Sequence, residues 1–169
     1  MKQSQSTLPT TELVGRRDPT RSVAVQQPLL PCLVFSADPL RRERLTRAMS
    51  ESGWSPVVCQ DVGQISVHGA RVRTPLAIID LVGAPVGVRE QCQTVCQRLL
   101  VAQQTLLAIC GRHDDPTEEI WARQLGVWLY LPGMGEREEI SLFAAEARDV
   151  VEKLFPDLKQ NAAAATESD

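Results

Sequence analysis

No apolar run in this 169-residue chain approaches the roughly 20 residues that a membrane helix requires. The N-terminal stretch MKQSQSTLPTTELVGRRDPTRSVAVQQP contains no apolar core of the kind a secretory signal carries. A cytoplasmic location is therefore expected, and there the five cysteines are expected to be reduced. Positive charge is not in excess. The net charge of −3 carries no footprint of nucleic-acid or polyanion binding. Histidine is scarce, with only His68 and His113, and Cys92 and Cys96, four residues apart, have no second ligand pair at zinc-type spacing to join them. There is no GxGxxG or Walker pattern after the first apolar run, so nucleotide binding of those types is not expected. No internal repeat is visible, and no lysine lies between Lys2 and Lys153.

What remains is an ordinary globular composition, 43% hydrophobic and 23% charged. The length suits one domain with tails. Residues 1–30 are rich in Gln, Ser, Thr, Pro and Arg and read as an N-terminal tail, with a short ordered piece expected near Val23 to Val25. Residues 31–156 form the domain, and residues 157–169 read as a second tail.

Inside the domain, short apolar runs alternate with helical patterns. Residues 32–35, bounded by Pro31 and by Asp38-Pro39, suit a buried strand. PLRRERLTRAMSESG follows. Asp38 is a good N-cap with Pro39 at the first helical position. Leu40, Leu45, Ala48 and Met49 make the apolar stripe, and Gly53 ends the helix. Strand two is expected at 56–59 and a weaker helix, capped by Asp61, through Val72. Leu76-Ala-Ile-Ile-Asp80 is the most strand-like run, apolar at consecutive positions and so buried on both faces. Helix three is expected over 88–104 and strand four over 105–110. Asp115-Pro116-Thr117-Glu118 reads as an acidic capping box opening a helix that ends at Gly126. Strand five is expected at 127–131. The last helix spans 136–155, with Ile140, Phe143, Ala147, Val150, Val151 and Leu154 at helical spacing.

Five strands alternating with five helices imply right-handed crossovers and a parallel sheet covered on both faces. Ligands of such sheets sit beyond the C-terminal strand ends. The positions of interest are therefore Ser36 to Asp38, Asp80 and its loop, Cys110-Gly111 and Pro132-Gly133.

From about Pro31 to Phe155 the chain resembles the CheY-like receiver domains of bacterial response regulators. LVFSADP stands where receivers carry an apolar strand and an acidic pair. Arg42, Leu45, Met49 and Gly53 follow the usual first helix. AIIDLVGAPVG resembles the segment that holds the phosphoacceptor aspartate, and LGVWLYLPG the approach to the fifth strand. The resemblance implies a flavodoxin-like three-layer sandwich with a five-stranded parallel sheet, order 2-1-3-4-5, and five helices. It places Asp80 at the phosphoacceptor position. Ser36 and Ala37 fall where the Mg²⁺-binding acidic pair belongs, Cys110 where a Ser or Thr belongs, and Pro132 or Gly133 where a lysine belongs. One element of four survives, and phosphoryl transfer without metal or lysine loses its main electrostatic support.

The leading expectation is thus a stand-alone pseudo-receiver that binds a protein partner and catalyses nothing. The alternatives are a single-domain response regulator phosphorylated on Asp80, and a small flavodoxin-like enzyme working in the strand-end cleft. No cofactor is expected, with Mg²⁺ relevant only if the Asp80 site works. Asp38, beyond its capping role, and Cys110 are expected at the mouth of that site. Asp38 joins Asp80 only if its carboxylate turns that way. Trp121, Trp128 and Tyr130 are candidate anchors for a partner, a histidine kinase or a second copy, on the helix four, strand five and helix five surface. Strand alternation would turn Trp128 and Tyr130 to one face. No nucleic-acid or membrane partner is expected, and with no helix-turn-helix or catalytic segment after residue 156, output would pass through another protein. Cys92 and Cys96 share a helix face and read as packed thiols. A hydrolase array of Cys110, His113 and Asp114 lacks a nucleophile motif.

Overall fold

The computed structural model describes residues 29–71, 73–102 and 105–158; the short piece foreseen at Val23 to Val25 lies outside them. The order is β1 (Leu30–Ser36), α1 (Pro39–Glu51), β2 (Trp54–Cys59), α2 (Val62–Arg71), β3 (Leu76–Asp80), α3 (Val86–Ala102), β4 (Leu106–Gly111), α4 (Pro116–Leu125), β5 (Leu129–Pro132) and α5 (Arg137–Leu154). A single helical turn follows at 156–158. All strand pairs are parallel and the sheet order is β2-β1-β3-β4-β5. This is the expected topology.

Strand parity divides the core into two layers. Cys32 and Val34 of β1, Leu76 and Ile78 of β3, and Ala108 and Cys110 of β4 meet α1 and α5 on one face. Leu33, Phe35, Ala77, Ile79, Leu107 and Ile109 meet α2, α3 and α4 on the other. With both faces covered, β3 is buried at every residue, which is why it reads as an unbroken apolar run. Trp54 opens β2 from full burial, and its indole Nε1 donates to the Ala144 carbonyl of α5 at 3.0 Å. Arg148 of α5 donates to the Gly53 carbonyl beside it. Together these bonds tie the β2 edge to the last helix.

Several local expectations are corrected. Pro31 lies inside β1 rather than before it. It pairs in register only with Ser55, because the β3 side of β1 begins at Cys32, so its missing N–H costs no ladder bond there. Leu40 is 66% exposed and does not join the α1 stripe; the buried residues of that helix are Leu45, Ala48 and Met49. Leu154 is exposed as well, while Phe155 and Leu158 pack on the core. Packing therefore continues through Leu158, inside the segment read as a tail.

Three caps follow the sequence. Asp61 Oδ1 accepts from Gln64 N at 2.9 Å at the start of α2. Asp38 Oδ1 accepts from Leu40 N at 2.8 Å and from Arg41 N at 3.3 Å. Asp115 Oδ1 accepts from Glu118 N at 3.0 Å. The reciprocal half of the Asp115 box is different from expectation. Glu118 is buried and turns to the strand ends, accepting from Arg112 N (3.1 Å) and the Tyr130 hydroxyl (3.0 Å). The capping pattern predicted at 115–118 appears instead on α5, where Glu139 Oε2 accepts from Gly135 N and Glu136 N.

Candidate functional site

Asp80 ends β3 on the parity of Leu76 and Ile78, and so faces the α1 and α5 layer. Ser36 ends β1 on the parity of Cys32 and Val34, directly in register with Asp80. On α1, Arg41 precedes Leu45 and Ala48 by four and seven residues, which puts it on the buried face of the helix. These three side chains must meet at the C-terminal end of the sheet, and they do.

The Asp80 side chain is fully buried. Its Oδ2 accepts from Arg41 Nε at 2.7 Å and from the Ser36 hydroxyl at 2.8 Å. Its Oδ1 accepts from Arg41 Nη2 at 3.1 Å and from Val82 N at 3.2 Å. Four donors therefore occupy the acceptor positions of one carboxylate. The Arg41 contact is the forked, two-bond form in which a guanidinium matches a carboxylate. Hydrogen bonding to Asp80 raises the affinity of the guanidinium for its proton above the ordinary value, so the arginine stays charged. Arg41 Nη2 also donates to the Met134 carbonyl at 2.7 Å. One side chain thereby ties α1, the end of β3 and the β5–α5 loop together.

Arg41 is the residue that sequence reasoning missed; the neighbouring Arg42 was singled out instead, and its Nη1 donates to the Ser36 carbonyl at 2.8 Å. The signal was present. Extending the Leu45 and Ala48 stripe back one turn lands on Arg41, a cation on an apolar face that requires a counter-ion.

Other candidates are placed as follows. Asp38 spends its Oδ1 on the α1 cap. Cys110 pairs in register with Asp80 but is wholly buried in the α1 and α5 layer rather than standing at the site mouth. Burial, together with the Asp80 charge, pushes its thiol pKa far up. It is therefore a poor nucleophile. His113 lies over Gly133, where a Cβ would fall 2.0 Å from its Nε2. Asp114 Oδ1 stands 4.0 Å from Arg112 Nε. These three residues are arranged by packing and surface charge, not as a catalytic array.

Trp128 and Tyr130 face opposite sides of the sheet. β5 begins only at Leu129, so alternation does not reach back to Trp128. Trp128 packs beside Phe143 of α5, with ring centroids 6.0 Å apart, while Tyr130 and Trp121 join the α3 and α4 layer. All three are half-buried. On the α5 side of β5, Leu129, Leu131, Pro132, Met134, Leu142 and Phe143 line a cleft of about 390 Å³, and Leu142 is 63% exposed.

The receiver architecture implies a Mg²⁺ ion beside the aspartate. The residues present do not fit one. Ser36 and Ala37 supply no carboxylate, and the Arg41 guanidinium occupies the side of Asp80 that a cation would need. Among the described residues no group of three His, Cys, Asp or Glu side chains converges.

No family model matches the sequence, and no curated protein matches it. Solved structures do resemble the fold. A CheY-like response regulator receiver domain protein from Methanospirillum hungatei is 12% identical, with a TM-score of 0.64 over 74% of this chain and 98% of its own. A response regulator from Thermotoga maritima is 12% identical, with a TM-score of 0.60 over 70% of this chain and 97% of its own. A structure named adenylate cyclase from Rhodopirellula baltica gives 0.63 at 12% identity, over 76% and 94%. At such identities it is the architecture that is shared, and this chain has the CheY-like receiver fold of the response regulators.

Proposed function

We propose that this chain is a pseudo-receiver: a receiver-fold protein that works by binding another protein and whose aspartate site is held shut by its own arginine. The observation that carries this reading is the saturation of Asp80 by Arg41, Ser36 and Val82. An in-line attack on a phosphoryl donor needs a free carboxylate oxygen and cationic support for the incoming anionic oxygens. Here the cation is spent on the carboxylate itself. Regulation then comes from partner binding or protein level, not from a phosphate-driven shift between two states.

The proposed contact surface is the α4–β5–α5 side. The apolar cleft beside β5 and the exposed Ile120 and Leu142 support it, since exposed apolar groups around a concave apolar floor favour association. A protein partner or a second copy would cover it.

The test is incubation of the protein with Mg²⁺ and acetyl phosphate, read by intact mass, with Asp80→Asn as control. The proposal expects no phosphate-sized gain while a functional receiver in the same experiment gains one. A gain that disappears in Asp80→Asn would replace it with a response regulator phosphorylated on Asp80.

A further inference from the structure

The outward face of α1 carries Leu40, Arg44 and Arg47 at helical spacing. Arg44 is exposed and has neither hydrogen bond nor ion pair among the described residues. Across from it stands the start of α5. Between the two lies a cleft of about 470 Å³, walled by Arg44, Arg47, Ala48, Gly135, Glu136 and Arg137. A smaller recess shares Arg44 and Gly135 with this cleft and is bounded on its inner side by Arg41. Asp80 and Met134 take Nε and Nη2 of Arg41, which leaves Nη1 as a spare donor. A Cβ on Gly135 would lie only 3.1 Å from that nitrogen.

We propose that this cleft binds a small phosphate-bearing anion. Three guanidinium groups, those of Arg44, Arg47 and Arg137, border it. The acids nearby are Glu136, Glu139, whose Oε2 accepts from Gly135 N and Glu136 N, and Glu51, already shared by Arg47 at 3.2 Å and Arg137 at 2.8 Å. Such a concentration of positive charge stands out on a chain whose net charge is −3. Guanidinium forks match the oxygens of phosphate in geometry and charge. The volume falls in the range of small-molecule sites, roughly 300–1,000 Å³, and is larger than a lone phosphate requires. A compound with two linked phosphate groups or more fits better. Arg44 is the main recognition residue, because no carboxylate competes for it.

The probe is pyrophosphate, titrated into the ¹⁵N-labelled full chain. Saturable amide shifts are expected at Gly135, Arg137 and along α1. Arg44→Gln is expected to bind about tenfold more weakly, the loss of one charge-assisted contact, with an unchanged melting temperature. Arg98→Gln on α3 is expected to bind like the parent. Absence of shifts at millimolar pyrophosphate, or equal affinity in Arg44→Gln, overturns the proposal. So does a polyglutamate peptide that shifts the same amides while pyrophosphate does not, which would assign the cleft to an acidic protein segment.

Discussion

Arg41 and Asp80, on different elements and 39 residues apart, meet in a forked contact of 2.7 and 3.1 Å at the C-terminal end of the sheet. The carboxylate is fully buried and the arginine side chain only 18% exposed. Removing one member of such a pair leaves an uncompensated buried charge, which costs more than the pair gains.

Arg41→Ala is therefore expected to lose about 3 kcal/mol of stability at neutral pH, measured by urea unfolding. In an Asp80→Asn background the same substitution should cost much less, because the neutral amide needs no counter-charge. Equal losses in the two backgrounds would mean that Arg41 acts through packing alone.

How far the sequence revealed this arrangement differs between its parts. The topology was legible because β3 and β4 are apolar on consecutive residues and α1, α2 and α4 open on capping aspartates, so strands and crossovers identify themselves. Asp80 was legible by its place at the end of such a run. Arg41 was not, since its burial depends on the α1 stripe continuing past its last apolar member. Leu40 misled for the related reason that an apolar residue in the first turn can overhang the sheet and face solvent. The orientation of Trp128 depended on where β5 begins, and a one-residue difference in strand start decides whether alternation applies. The role of Glu118 was hidden because it lies on α4 while its partner Tyr130 lies on β5.

Gly111→Ala tests that hidden network. A Cβ there would fall 2.1 Å from the Tyr130 hydroxyl and 2.2 Å from Glu118 Oε1, so the Tyr130–Glu118 bond must break or move. A loss of about 2 kcal/mol is expected, as for overpacking elsewhere. Tyr130→Phe should recover part of it by removing the crowded oxygen. If the double variant is no more stable than Gly111→Ala, the clash lies elsewhere.

Trp54→Phe keeps most of the apolar volume and removes the Nε1 donor, leaving the Ala144 carbonyl without its bond from β2. That carbonyl lies inside α5 and keeps its helical bond, so losing this second one costs about 0.5–1.5 kcal/mol. Hydrogen exchange should accelerate along β2 and α5 together while the Asp80 end of the sheet keeps its protection. Uniform acceleration across the sheet would show that Trp54 holds the whole core and not one edge.

The five cysteines are buried, and burial raises thiol pKa values, to about 11 for Cys59 and about 12 for Cys92 against an ordinary 9.0. Below pH 9 the thiols are neutral folded or unfolded, so they make stability independent of pH. Above it the unfolded chain ionises first, binds fewer protons than the native state, and stability falls. The melting temperature is therefore expected to drop progressively from about pH 9 upward. Native protein should resist thiol reagents at pH 8 that label all five cysteines in denaturant. Rapid labelling of any one of them in the native state would contradict the burial.

The most direct test of the account is the Arg41 side chain itself, observed through its Nε–H resonance in a ¹H–¹⁵N spectrum. A downfield, slowly exchanging Arg41 signal is expected, one that vanishes in Asp80→Asn and is unmoved by millimolar Mg²⁺. An Arg41 signal averaged with solvent, or one released when Mg²⁺ is added, would contradict it and return Asp80 to the metal-assisted chemistry of a receiver.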